Sequence, residues 1–221
     1  MPLFTCKAVL LDLDGVLVDS TPCVTRVWRT WANEHGLDAE HIGHITHGLK
    51  AIELIRMVAP HLDAEREMRK VEQMEIDDTD GLRVLPGARE LLEKLPTANY
   101  TIVTSGTRRL ATKRLQVAGL PVPSNMITAD EVIKGKPDPE PYLAGATSLG
   151  VTADECVVFE DAPSGILSAK AAGATTIGIS TTYKPEGIAA ADLVIPSLTC
   201  VRVLGENNHK QLRLEIAGIS G

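Results

Sequence analysis

The chain lacks three features that would place it in a special class: an excess of positive charge, a long apolar run and paired cysteines. Its formal net charge is −7, which gives no electrostatic basis for binding nucleic acid or an anionic membrane. No apolar run approaches the roughly 20 residues that span a bilayer. We therefore expect neither nucleic acid nor a membrane as a partner.

Cysteine is scarce, and the four cysteines have no CxxC spacing. This pattern argues against a disulfide framework or a zinc site and fits a reducing compartment. The N-terminal segment carries one lysine, Lys7, and a short apolar stretch that Asp12 interrupts, unlike a signal peptide. We expect a cytoplasmic protein and a monomer, although the sequence alone does not determine the oligomeric state.

The remaining composition is ordinary, with 44% hydrophobic and 23% charged residues in a chain of 221, enough for one core domain and a smaller module. Five short apolar runs are typical of buried strands; they begin at Ala8, Tyr100, Cys156, Thr175 and Leu193. Helical patterns that end at a glycine lie between them, over residues 108–118, 139–149 and 163–172. This alternation predicts an α/β fold with a parallel sheet and helices on both faces.

Residues 20 to about 80 break this alternation, because they carry helical patterns without a strand signal. Thr21 fits the N-cap of a first helix, with Pro22 in its first turn. Two further helices fit residues 48–58 and 63–75. We therefore predict an all-helical module inserted after the first strand.

The predicted bounds follow from this pattern. The helical module covers residues 19–81, and the core combines residues 1–18 with 82–221. Near the end of the chain, residues 211–216 alternate polar and apolar side chains, which predicts a terminal edge strand or hairpin.

Polar side chains follow several predicted strands at their carboxyl ends, where open α/β sheets bind ligands. The set comprises Asp12, Asp14, Thr104, Ser105, Gly106, Glu160 and Asp161, together with Lys136 just before a helix. Carboxylates are hard oxygen ligands for Mg²⁺, and a lysine, a hydroxyl and amides can offset the charge of a phosphoryl group. A single aspartate at a strand end is usually a turn residue, so it is the joint pattern that indicates phosphoryl chemistry.

The segment Asp12-Leu13-Asp14-Gly15 resembles the first motif of the haloacid dehalogenase-like hydrolases, and the segments around Thr104, Lys136 and Asp161 resemble the second, third and fourth. The resemblance covers essentially the whole chain and implies a Rossmann-like core with a helical cap inserted after the first strand. Within the family, residues 39–48, 104–108, 135–143 and 158–163 look like the glycerol-phosphate and 2-deoxyglucose-6-phosphate phosphatases.

The resemblance implies a role for each catalytic residue. Asp12 would be the nucleophile, and Asp14 would protonate the leaving alkoxide and then activate water. The Thr104 hydroxyl and the backbone at Ser105 and Gly106 would hold the phosphoryl oxygens. Lys136 would bridge Asp12 and the phosphate.

The resemblance also implies a magnesium site. Asp161 would hold the ion together with the Asp12 carboxylate and the backbone carbonyl of Asp14. Glu160 would be a further ligand, either directly or through water.

In the helical module, His47, Gly48 and Lys50 match a loop that meets the substrate in related enzymes. The functional interpretation is contact with the phosphate or hydroxyl groups of the substrate. The alternative is a capping histidine and a solvated lysine on an ordinary helix.

The sequence therefore predicts a phosphoric monoester hydrolase that uses Mg²⁺ and acts on a small phosphorylated metabolite. Glycerol phosphate, a deoxyhexose phosphate and a hexose phosphate all stay open as substrates. Two alternative functions stay open as well: a sugar phosphomutase on the same core, and a non-catalytic protein that binds a phosphorylated metabolite.

Overall fold

The computed structural model of the chain describes residues 2–45, 48–207, 209 and 211–217. Its strands are β1 Leu3–Cys6, β2 Ala8–Leu11, β3 Val18–Asp19, β4 Arg83–Val84, β5 Tyr100–Ile102, β6 Cys156–Glu160, β7 Thr175–Ile179, β8 Leu193–Ile195, β9 Val201–Glu206 and β10 Leu212–Ile216. Its α-helices are α1 Thr21–Glu34, α2 Ala39–Ile45, α3 Ala51–Val58, α4 Ala64–Asp77, α5 Ala88–Lys94, α6 Arg108–Ala118, α7 Glu140–Ser148 and α8 Pro163–Ala171.

The central sheet is parallel and has the strand order β5-β2-β6-β7-β8, so the five predicted strands form one sheet. The register places Leu11 of β2 beside Ile102 of β5 and Phe159 of β6. All residues of these three strands are buried, because helices and neighbouring segments cover both faces. The register brings the carboxyl ends of the three strands to one edge, and the predicted α/β class is confirmed.

Helices α1 to α4 lie between the two short antiparallel strands β3 and β4, which pair Val18 with Val84 and Asp19 with Arg83. The helices pack around a core of their own, which includes Trp31, Leu54, Ile55 and Val71. The chain thus enters and leaves the helical segment through one two-stranded ribbon. The bounds of 19–81 for this module stay a prediction.

The first helix differs from the prediction at its N-terminus. Helix α1 includes Thr21, and the N-cap residue is Ser20, whose side chain makes no capping bond. The Ser20 hydroxyl instead donates to Oδ1 of Asp14 at 2.6 Å. The prediction of Thr21 as the cap was therefore wrong, because the helix already includes Thr21, and the Ser20 side chain contacts the loop after β2 instead of capping the helix.

The C-terminal strand β10 is a strand, as predicted, but it is not an edge strand. It lies in the middle of an antiparallel sheet of order β1-β10-β9. Its alternating residues Leu212, Leu214 and Ile216 are fully buried in the main core. The hairpin alternative is confirmed, because β10 pairs antiparallel with the preceding strand β9. The edge alternative was wrong, because β1, at the other end of the chain, pairs with the other side of β10.

The helices in the part of the chain that the structure describes are all too short or too polar to cross a membrane.

Candidate active site

The loop after β2 turns tightly and places Asp12 and Asp14 at the carboxyl edge of the sheet. Gly15 makes the turn possible, because its φ is +81° and a Cβ there would lie 1.9 Å from Oδ2 of Asp161. The Gly15 amide donates to the Val18 carbonyl at 2.8 Å, and the Thr181 hydroxyl donates to the Gly15 carbonyl. The glycine thus lets the loop after β2 contact the loop after β6.

Lys136 joins the two loops from the opposite side. Its ammonium donates to Oδ1 of Asp12 at 2.5 Å, to Oε1 of Glu160 at 2.7 Å and to the Val103 carbonyl at 3.1 Å. The lysine is 1% exposed, so its three donors are all used inside the protein. Its charge therefore acts on Asp12 without screening by bulk water.

Glu160 is held by four donors. The Lys136 ammonium and the Tyr142 hydroxyl, the latter at 3.0 Å, bind Oε1. The backbone amides of Asp161 and Ala162 bind Oε2 at 2.8 and 2.9 Å. The sequence analysis assigned no role to Tyr142, because no local sequence pattern indicates that a tyrosine within a helix donates a hydrogen bond to a distant carboxylate.

Gly165 opens the space that the Glu160 carboxylate occupies. A Cβ on Gly165 would lie 1.6 Å from Oε1 of Glu160, so the substitution Gly165→Ala must displace the carboxylate. We expect Gly165→Ala to lower the free energy of unfolding by about 1–3 kcal/mol, as overpacking in a rigid core does. Urea unfolding measures this, with Gly187→Ala as the control because its nearest new contact is at 3.6 Å. Equal stability of the two variants would contradict the prediction.

Asp12, Glu160 and Asp161 form a buried acidic cluster whose ligand atoms lie within 4.8 Å of one another. Burial raises the pKa of Asp12 to about 8; Lys136 opposes this rise, and Glu160 adds to it. Burial, with the charges of Glu160 and Asp12, raises the pKa of Asp161 well above its usual range. Three buried carboxylates beside one ammonium suit a divalent cation with oxygen ligands.

The Asp14 carboxylate lies apart from this cluster. It accepts from the Ser20 hydroxyl at Oδ1 and from the Arg114 guanidinium at Oδ2, the latter at 2.7 Å. Sequence reasoning missed both partners. Arg114 is one of several basic residues on α6, but its spacing from Leu110, Ala111 and Ala118 places it on the buried face of that helix. This spacing is the signal that could have separated it from solvated charges.

The loop after β5 supplies a hydroxyl and amides next to Asp12. The Gly106 amide donates to the Thr104 hydroxyl at 3.1 Å, and the Ser105 hydroxyl donates to the Gly48 carbonyl at 2.9 Å. The last contact joins the core to the helical segment. The structure therefore brings the predicted phosphate-binding residues to the same edge as Asp12.

A cavity of about 80 Å³ lies between the core and the helical segment. Its lining includes Asp12, Asp14, Thr104, Ser105, Gly106, Asp161, Gly48, Glu75, Trp28 and Arg114. The core contributes most of the polar groups, and α1 and the segment before α3 contribute apolar ones. The cavity is thus a partly open cleft lined by Asp12, between the core and the helical segment.

The predicted substrate loop of the helical segment is placed only in part. His47 lies outside the described residues. Gly48 lines the cavity above Asp12, with a φ of +84°. Lys50 is 9% exposed and donates to the Val132 carbonyl at 3.0 Å, so it is not the solvated lysine of the alternative interpretation. Its contact with a substrate stays a prediction.

The chain is similar to a known protein family and to solved structures. The family model described as haloacid dehalogenase-like hydrolase matches residues 6–173. The chain belongs to the haloacid dehalogenase-like hydrolases. A crystal structure of a hydrolase from Pseudomonas syringae superimposes with a TM-score of 0.78 and 32% identity, covering 86% of this chain and 93% of that one.

Two relatives of this haloacid dehalogenase-like hydrolase are named as phosphatases. Hexitol phosphatase A of Escherichia coli is 42% identical over 208 residues, covering 92% of this chain and 96% of the relative. Glycerol-1-phosphate phosphohydrolase 1 of Saccharomyces cerevisiae is 36% identical over 225 residues, covering 95% and 89%. These findings confirm the predicted family and the predicted class of phosphoric monoester hydrolase.

Proposed function

We propose that this hydrolase is a Mg²⁺-dependent phosphatase that cleaves a small sugar or polyol phosphate through a phospho-aspartyl intermediate on Asp12. The observation that carries the proposal is the position of the Asp12 carboxylate. It lies 2.5 Å from the buried Lys136 ammonium and beside Asp161, and it lines the cleft between the core and the helical segment. A carboxylate nucleophile held next to a cation can approach an anionic ester that would otherwise repel it.

In the first step, an oxygen of Asp12 attacks the phosphorus atom and the bond from phosphorus to the ester oxygen breaks. Asp14, which lines the same cavity, gives its proton to the leaving alkoxide. In the second step, Asp14 takes a proton from water, the water oxygen attacks the phosphorus atom, and the acyl phosphate bond to Asp12 breaks. Inorganic phosphate and the free alcohol are the products.

The residues present fit a magnesium ion. The carboxylates of Asp12 and Asp161 and the backbone carbonyl of Asp14 would hold it. Glu160 already accepts two hydrogen bonds on each oxygen, so it would support the site through Lys136 and the Asp161 amide and not as a direct ligand. When bound, Mg²⁺ supplies positive charge against the phosphoryl oxygens. Lys136 binds Asp12 on the other side, Thr104 and the amides after it face the phosphoryl group, and the helical segment excludes bulk water.

The lining of the cavity supports a polar phosphate ester as the substrate. Its polar groups surround the Asp12 carboxylate, and Val24, Trp28 and Leu49 lie on the side of the helical segment. The relatives named for hexitol and glycerol phosphates agree with a sugar or polyol phosphate.

We expect free phosphate to be released from glycerol, hexitol and hexose phosphates when Mg²⁺ is present. EDTA should remove this activity and excess Mg²⁺ should restore it, because the buried acidic cluster then regains its cation. A panel of esters assayed for phosphate release, with kcat/KM for each, measures the effect. In ³¹P NMR, isomerised ester without free phosphate would identify a mutase instead. No turnover across the panel would indicate a non-catalytic binding protein.

A further inference from the structure

Arg114 is the one basic residue of α6 in the described part of the chain that binds two buried or half-buried carboxylates at once. One guanidinium nitrogen donates to Oδ2 of Asp14, and the other donates to Oε2 of Glu75, each at 2.7 Å. Arg114 is 5% exposed and Glu75 is 8% exposed. Because Asp14 belongs to the core and Glu75 to α4, the guanidinium joins the proton-transfer residue to the helical segment.

The remaining oxygens of both carboxylates are bound as well. The indole nitrogen of Trp28 donates to Oε1 of Glu75 at 3.0 Å, and the Ser20 hydroxyl donates to Oδ1 of Asp14 at 2.6 Å. In each carboxylate, one oxygen therefore accepts a hydrogen bond from Arg114 and the other accepts one from a second donor. The planar guanidinium can bind both carboxylates in a fixed geometry, which a single ammonium cannot do.

The other polar contacts between α4 and α6 differ from this one. Arg109 has a side chain that is 59% exposed, lies 3.7 Å from Glu72 and donates to Gln73 at 2.7 Å. Exposed pairs of this kind contribute little to stability, whereas a buried charge that loses its partner costs several kcal/mol. The same pair of helices thus supplies a matched comparison, because Arg109 makes no contact with Asp14.

We propose that Arg114 is a positioning residue that orients the Asp14 carboxylate for proton transfer and, through Glu75, makes that orientation depend on the docked helical segment. The proposal rests on the proposed function. Proton transfer requires hydrogen-bond geometry between Asp14 and the ester oxygen or the water. Without Arg114, only the Ser20 hydroxyl would restrain the carboxylate, and the buried Glu75 would lack its cation.

The two chemical steps separate this role from a general structural one. A poor leaving group, such as a polyol alkoxide, needs the Asp14 proton in the first step. The nitrophenolate released from 4-nitrophenyl phosphate needs no proton, so with this ester Asp14 acts only in hydrolysis of the intermediate. If Asp14 is no longer oriented, steady-state turnover of both esters should therefore be slower. The rate at which the first nitrophenolate is released from 4-nitrophenyl phosphate should not change.

The test compares Arg114→Met with the control Arg109→Met. For Arg114→Met we expect kcat on a polyol phosphate to fall by about 100-fold with little change in KM, as small misplacements of a reacting group do. In stopped flow with 4-nitrophenyl phosphate, it should release a burst near one nitrophenolate per enzyme before slow turnover. Arg114→Lys should recover part of kcat, and Arg109→Met should match the wild type.

Several outcomes would overturn the inference. Wild-type kcat in Arg114→Met, a burst lost together with turnover, or a rise in KM alone would each assign Arg114 to binding or general stability. If Arg114→Met does not fold, the variant Glu75→Gln tests the inference instead. Glutamine can still accept the hydrogen bond from the Trp28 indole, but it lacks the negative charge that binds Arg114. We expect a smaller fall in kcat with the burst retained, and wild-type kinetics in Glu75→Gln would refute the link to the helical segment. An inactive wild type would refute the proposed function instead.

Discussion

Asp12→Asn should abolish phosphate release from sugar and polyol phosphates. Removal of a nucleophile lowers kcat by roughly 10⁵-fold or more, because the remaining groups have no atom on which to form the intermediate. The amide has the shape of the carboxylate, and its oxygen can still accept from the Lys136 ammonium. We therefore expect loss of activity without loss of the fold.

The thermal stability of Asp12→Asn gives a second expected result. Burial raises the pKa of Asp12 to about 8, which means that the ionised carboxylate is costly in the protein without its metal. A neutral amide avoids that cost, so Tm in EDTA should be equal to or above that of the wild type. Phosphate release and thermal unfolding measure the two effects, with the exposed Asp154→Asn as the control. Phosphate release at the wild-type rate would rule out Asp12 as the nucleophile.

The sheet and the residues at its edge could be predicted because their signals are local. The run Ala8–Leu11 is apolar and ends at Asp12, and parallel strands must bring such ends to one side. The prediction did not need to know which strands are neighbours. It required only that Asp12, Thr104 and Asp161 each follow a strand of the same sheet.

The features that sequence reasoning missed depend on contacts between distant segments. Arg114 is buried because α4 brings Glu75 over it; its spacing along α6 indicates a buried position but does not identify this partner. Strand β10 is central because β1, about 200 residues earlier, pairs with it. The Ser20 hydroxyl makes no capping bond because it donates to the Asp14 carboxylate instead. In each case a tertiary partner overrides the local preference.

Lys136→Met should destabilise the protein and should do so more strongly at pH 10 than at pH 7. The ammonium is buried between Asp12 and Glu160, and methionine of similar length leaves both carboxylates without a cation. Breaking a buried pair by removing one partner costs about 3–5 kcal/mol. The variant should also lose phosphatase activity, because Asp12 would no longer be paired with a positive charge when the ester approaches.

The pH dependence follows from the raised pKa of Asp12. Because this pKa is about 8 in the folded protein and 3.8 otherwise, the folded state binds more protons than the unfolded state between these values. Stability without metal therefore falls as the pH rises through that window. Lys136 opposes the rise in pKa, so its removal raises the pKa further and extends the loss of stability to pH values above 8.

Urea unfolding in EDTA at pH 7 and pH 10 measures both effects of Lys136→Met. At pH 7 Asp12 is mostly protonated in the folded wild type and in the folded variant, so the loss relative to the wild type comes from the missing ammonium. At pH 10 Asp12 of the wild type is ionised beside Lys136, whereas its ionisation costs more in the variant, and the loss should be larger. Lys170→Met, which breaks the exposed pair with Asp192, should cost less than about 1 kcal/mol at either pH. An equal loss at both pH values in Lys136→Met would contradict the conclusion that Lys136 lowers the pKa of Asp12.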